Sequence, residues 1–138
     1  MSPRESLHLV LRSTRAYGAR SLLAPANARR IQAITHSLGR RLGVRVYSYA
    51  NAGNHLHLLV QPTSRPAFRA FVRALSGIVA RIALRAERGQ ARKTTFWDRR
   101  PWSRIVEWGM AFETVLLYIE RNTLEARGQL PKRRKGPD

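Results

Sequence analysis

The sequence predicts an α+β domain. Four antiparallel strands form one sheet, two helices cover one of its faces, and a further helix follows the last strand. Three observations carry this reading. Short runs such as Leu7-His8-Leu9-Val10-Leu11 and His55-Leu56-His57-Leu58 alternate with a period of two, as strands do. Longer stretches repeat apolar residues at steps of three and four, as helices do. The elements come in the order strand, helix, strand, strand, helix, strand, helix, and the first six make the split βαβ, ferredoxin-like arrangement.

Each element has its own justification. Leu7, Leu9 and Leu11 give the first strand a core face, with His8, Val10 and Arg12 on the other. Residues near 26–42 read as a helix with Ile31, Ile34, Leu38 and Leu42 along one side. Val44 to Ala50 is the second strand, with Arg45, Tyr47 and Tyr49 expected on one face. Asn51-Ala52-Gly53-Asn54 is turn chemistry, so the next strand should fold back on it as a hairpin. In that third strand Leu56, Leu58 and Val60 face the core while His55 and His57 face away. Ser64 can cap a second helix whose stripe is Phe68, Phe71, Val72, Leu75, Ile78, Val79 and Ile82. Phe96-Trp97 and then Ser103 to Glu107 read as a fourth strand interrupted near Pro101, and Trp108 to Ala126 as a final helix. Residues 1–130 make one domain, and 131–138 a basic tail expected to be disordered.

Composition narrows the partners. The 138 residues carry 26 Lys plus Arg against 8 Asp plus Glu, a formal charge of +18. Such a charge repels itself in a compact state and attracts a polyanion, nucleic acid first. The cations are nearly all Arg, which forks onto phosphate and stacks on bases; a GC-rich genome would give the same bias. No apolar run is long enough to span a bilayer, so no membrane role is expected. With no apolar signal segment at the N-terminus, the expected location is cytoplasmic. The absence of cysteine excludes thiolate metal sites and disulfides.

The most informative feature is the spacing of His55 and His57. Two residues apart on a strand, both imidazoles project from one face, roughly 7 Å apart along the chain, and can converge on a divalent metal. An exposed strand carrying two surface histidines would look the same. The last helix adds a second feature. Phe112, Val115, Leu116 and Ile119 make its apolar face, and Tyr118 lies roughly 110° away from the middle of that face. Asn122 stands one turn on. If that helix crosses the open sheet face, it brings a phenol nucleophile and an amide oxygen to the two histidines. Imidazoles with oxygen ligands suit Mg²⁺ or Mn²⁺, and Zn²⁺ binds such sets as well. Arg12, Arg99, Arg100 and Arg104 are candidate phosphate contacts. Tyr47 and Tyr49 are candidate base-stacking residues, or packing partners of the last helix.

These residues together resemble the single-tyrosine HUH transposases of bacterial insertion sequences, in particular their REP-associated tyrosine transposase branch. The family motif Pro-Asn-His-Val-His-Leu-Leu-Val is similar to Gly53-Asn54-His55-Leu56-His57-Leu58-Leu59-Val60. Its late Tyr-Ile-x-x-Asn is similar to Tyr118-Ile119-Glu120-Arg121-Asn122, and its Leu-Trp-x-x-Arg segment to Phe96-Trp97-Asp98-Arg99-Arg100. The resemblance spans about residues 7–127. Gly53 stands for the usual Pro, and Thr123 for the Pro that often follows the Asn; neither change removes a functional group.

The resemblance implies DNA strand transfer on single-stranded or hairpin DNA, with Tyr118 as nucleophile and a 5′-phosphotyrosine intermediate. It also implies a metal held by His55 and His57, with Asn122 as third ligand. Two other readings fit parts of the sequence. One is a non-catalytic or domesticated nucleic-acid-binding module on the same sheet; the other is a metal-dependent hydrolase that needs no tyrosine. A homodimer is left open, with Leu117 and Leu124 as a candidate contact.

Overall fold

The computed structural model describes residues 5–84, 96–98, 101–106, 114–115 and 117–121. Its elements are β1 (Ser6–Arg12), α1 (Pro25–Leu42), β2 (Val44–Asn51), β3 (His55–Pro62), α2 (Arg65–Leu84) and β4 (Trp102–Val106). Residues 114–115 and 117–121 are also helical. The strands form one antiparallel sheet in the order β2-β3-β1-β4, the ferredoxin-like arrangement with β1 and β3 at its centre.

The sheet divides its side chains as the alternation of β1 and β3 requires. Leu7 pairs with Val60, Leu9 with Leu58 and Leu11 with Leu56, and all six are buried against α1 and α2. Ile31 and Leu38 from α1 and Phe71, Leu75, Val79 and Ile82 from α2 complete this core. The other face carries a smaller apolar cluster. There Val115 and Ile119 of the last helical residues pack on Ala50, Leu59 and Val106, with Tyr47 at the margin.

The helix ends follow local chemistry. Pro25 opens α1, where a missing N–H costs nothing. Gly43 closes it in the left-handed region, at φ 74°. The Ser64 hydroxyl accepts the backbone N–H of Ala67 at the start of α2, as the sequence predicts.

Two expectations are corrected. In β2 the pairing shifts between Val46, opposite Val60, and Ser48, opposite Leu59. This bulge adds one residue and reverses the alternation beyond it. Tyr47 stays on the open face, but Tyr49 pairs with Leu58 and packs into the helix-covered core. The Tyr49 ring meets that of His36 of α1, with centroids 6.0 Å apart. The fourth strand begins only at Trp102. Phe96 and Trp97 precede it as an anchor: Phe96 is buried in the main core, and the Trp97 indole N–H donates to the Ser76 carbonyl.

Leu9 sits fully buried in the central strand. Leu9→Ala should therefore cost about 3 kcal/mol of unfolding free energy, read as a lower urea midpoint at unchanged slope.

Candidate active site

The open sheet face brings four chemically active side chains together. His55 and His57 project from β3, as their spacing requires, and their ring centroids are 4.6 Å apart, edge to face. His8 projects from β1 beside them. Its ring lies 5.3 Å from that of His57, nearly parallel, and its Nε2 is 3.1 Å from His57 Nδ1. The Tyr118 ring stands edge-on to both, 5.4 Å from His57 and 6.3 Å from His8. His57 and His8 are 4 % and 6 % exposed, whereas Tyr118 is 44 % exposed. The phenol is thus open to an incoming molecule while the imidazoles form the floor.

The turn before β3 sets the first histidine. Gly53 adopts φ 93°, a conformation closed to proline and strained for other side chains. Its N–H donates to the Asn51 side-chain oxygen and its carbonyl accepts Leu22 N–H. The Asn54 carbonyl accepts Ser13 N–H. Held this way, the Asn54 side-chain oxygen meets His55 Nδ1 at 2.6 Å. That oxygen only accepts, so His55 Nδ1 carries the proton and Nε2 keeps its lone pair.

All three imidazoles are neutral across the ordinary pH range. Burial, then the charge of Arg104, lowers the His8 pKa to about 4. Burial, then Arg12, lowers His55 to about 4. Burial, then the neighbouring His55, His8 and Arg12, takes His57 to about 3. The two arginines flank the cluster, since Arg12 pairs with His55 across β1 and β3 and Arg104 with His8 across β4 and β1. Asp98 braces the Arg12 end. Its N–H donates to the Arg12 carbonyl, and its carboxylate accepts Thr14 N–H and Oγ1–H at 2.8 and 2.9 Å. The backbone bond from Thr14 comes first among the causes that lower the Asp98 pKa.

The residues fit a metal ion. Neutral imidazole is the ligating form, and His57 Nε2 is buried with no hydrogen-bond partner among the described residues. A buried bare nitrogen of this kind is costly unless something occupies it. No cluster of three or more His, Asp or Glu side chains suited to a metal occurs among the described residues. Further ligands must therefore come from elsewhere, such as phosphate oxygens.

A family profile matches the chain that carries this site. A profile described as "Transposase IS200 like" fits residues 4–122, most of the chain. The chain belongs to the IS200-like transposase family. Among solved structures, the transposase is similar to a REP-associated tyrosine transposase bound to a REP hairpin. The TM-score is 0.61 at 11 % identity, over 91 % of this chain and 70 % of that one. It is also similar to a candidate transposase from Deinococcus radiodurans R1, with a TM-score of 0.55 at 19 % identity over 85 % and 89 % of the two chains. At these identities the likeness establishes the fold. No protein of curated function matches the transposase significantly.

Of the residues singled out in the sequence, His55, His57, Arg12, Arg104 and Tyr118 share the open face. Tyr47 lies on that face toward the other end of β3, where its hydroxyl donates to Gln61 Oε1 and lies 3.4 Å from Arg45 Nη1. Tyr49 is on the opposite face. Asn122, Arg99, Arg100 and the 131–138 tail lie outside the described residues. An open groove of about 600 Å³ lined by Arg40, Arg45, Gln61 and Thr63 forms at the β2 edge. The histidines are not among its lining residues, so it is no part of this site. Asn54 and Asp98 gained no role from sequence, because each acts through a hydrogen bond that only the folded turn or loop creates.

The depressed histidine pKa values make the metal-free transposase acid-sensitive. Unfolded, these side chains take up protons below about pH 6.5; folded, they stay neutral to about 4 or 3. The unfolded state then binds more protons, so stability falls as pH drops from 6.5 toward 4. Each such histidine contributes about 1.4 kcal/mol per pH unit. Urea midpoints between pH 7 and 4.5 should fall in wild type and fall less steeply in His55→Ala/His57→Ala.

Proposed function

We propose that this transposase nicks and rejoins single-stranded DNA through Tyr118. The observation that carries the reading is the Tyr118 ring, exposed and edge-on at 5.4 Å from His57, whose Nε2 is bare. Few packing roles call for a half-exposed phenol beside buried imidazoles flanked by two arginines.

In this reading the Tyr118 oxygen attacks a backbone phosphorus, and the bond to the 3′-oxygen breaks. The phenol proton passes to solvent or to the departing oxygen, leaving a 5′-phosphotyrosine link and a free 3′-hydroxyl. The phosphodiester energy is retained, so a second 3′-hydroxyl can attack the link and release the tyrosine. Arg12 and Arg104, at the two ends of the histidine cluster, hold the flanking phosphates. His55 and His57, with Asn122 as third ligand, would hold Mg²⁺ or Mn²⁺, which would supply polarisation of the scissile phosphate and stabilisation of its developing charge. The Asn54 bond to His55 keeps one ligand nitrogen deprotonated and aimed. The hairpin carried by the REP-associated relative supports a hairpin-bearing DNA as substrate here. Tyr47 and the arginines of the open face are suited to hold its single-stranded flank.

Incubation with single-stranded hairpin DNA and Mn²⁺ should give a covalent protein–DNA adduct on a denaturing gel. Tyr118→Phe should abolish the adduct while leaving DNA binding nearly intact, and His55→Ala/His57→Ala or chelation should abolish metal-stimulated cutting. An adduct formed equally by Tyr118→Phe would refute the nucleophile; free 5′-phosphate without adduct would instead favour a hydrolase. Arg12→Ala and Arg104→Ala should each weaken binding and lower the slope of log K against log salt by about 1.

A further inference from the structure

We infer that His8 is a positioning residue that selects the ligating tautomer of His57. The inference rests on the proposed metal role of His55 and His57 and adds a residue to it. His8 Nε2 and His57 Nδ1 are 3.1 Å apart, and both rings are buried, which disfavours the charged form of each. One proton must lie between them, so only two arrangements satisfy the contact. If His8 donates, His57 carries its own proton on Nε2, which is buried. If His57 donates from Nδ1 and His8 accepts, His57 Nε2 is left with a lone pair and His8 carries its own proton on its buried Nδ1. Only the second arrangement lets His57 bind a metal.

A neutral histidine side chain in water prefers the proton on Nε2, so the form that ligates through Nε2 is favoured by an acceptor at Nδ1. His8 is built to be that acceptor. It comes from the central strand adjoining β3, two positions from Val10, the direct partner of His57. It is pinned at that diagonal by Leu7 and Leu9, buried on either side of it. Its Nε2 is turned to His57 and so is not itself a ligand of the same ion. Asn54 does for His55 what His8 does for His57: each imidazole hands its Nδ1 proton to a neighbour and keeps Nε2 bare. Partners of this kind orient a ligand and raise its basicity, and their loss costs about 10- to 100-fold in metal affinity.

The test uses the full chain with ¹⁵N-labelled histidine. In metal-free wild type, long-range ¹H–¹⁵N spectra should show His57 protonated on Nδ1. In His8→Leu the proton should move to Nε2, and Mn²⁺ affinity by calorimetry should fall about 10- to 100-fold. His8→Gln, whose amide oxygen can accept the same proton, should recover much of both. Should His8→Leu unfold, the wild-type and His8→Gln spectra still decide the tautomer. A His57 protonated on Nε2 in wild type, or unchanged Mn²⁺ affinity in a folded His8→Leu, would overturn the inference. Mn²⁺ binding that His55→Ala/His57→Ala leaves intact would instead overturn the metal site on which it rests.

Discussion

The register between β1 and β3 is the constraint on which both faces of the sheet depend. Leu7, Leu9 and Leu11 lie beside Val60, Leu58 and Leu56, and this block is the floor on which α1 and α2 pack. Because the side-chain period of a strand is two, a slip of one residue would exchange the faces. It would push His8 and His57 under the helices and expose leucines to water. Apolar burial on one face thus fixes where the imidazoles stand on the other. The same register sets Arg12 opposite His55, and β4 then adds Arg104 opposite His8. The polar site is held in place by a core it never touches.

Much of this was legible in the sequence, because β1 and β3 alternate without interruption and α2 has an unbroken apolar stripe. Tyr49 was misplaced because a bulge leaves no mark in a pattern such as Arg45-Val46-Tyr47-Ser48-Tyr49; the extra residue is visible only in the pairing. Phe96 and Trp97 look like strand residues by composition, yet their burial against α2 makes them an anchor. The second apolar cluster does leave a mark in the sequence. Leu59 follows Leu58, so an apolar residue falls on the histidine face, where a fully open sheet would favour a polar one. It marks where Val115 and Ile119 settle. Asn54 was visible only as part of a motif. Its contact with His55 depends on a glycine at φ 93° in the preceding position.

Electrostatics at the site runs against the field of the whole chain. Burial first, then the neighbouring guanidiniums and, for His57, the adjoining imidazoles, makes positive charge on these rings expensive, and they stay neutral. A neutral imidazole is a poor partner for phosphate but a good metal ligand. In the proposed mechanism the arginines and the histidines divide the labour: the former would attract a polyanion at long range, and the latter would offer lone pairs to a metal ion.

The two apolar clusters found among the described residues lie on opposite faces of the sheet. The main core joins the sheet to both long helices, whereas the helical residues carrying Tyr118 rest on Ala50, Leu59 and Val106 through Val115 and Ile119. Val115 and Ile119 meet the sheet on the face away from α1 and α2, so the Tyr118 phenol takes its place from the strand side chains Ala50, Leu59 and Val106 rather than from the helix-covered core.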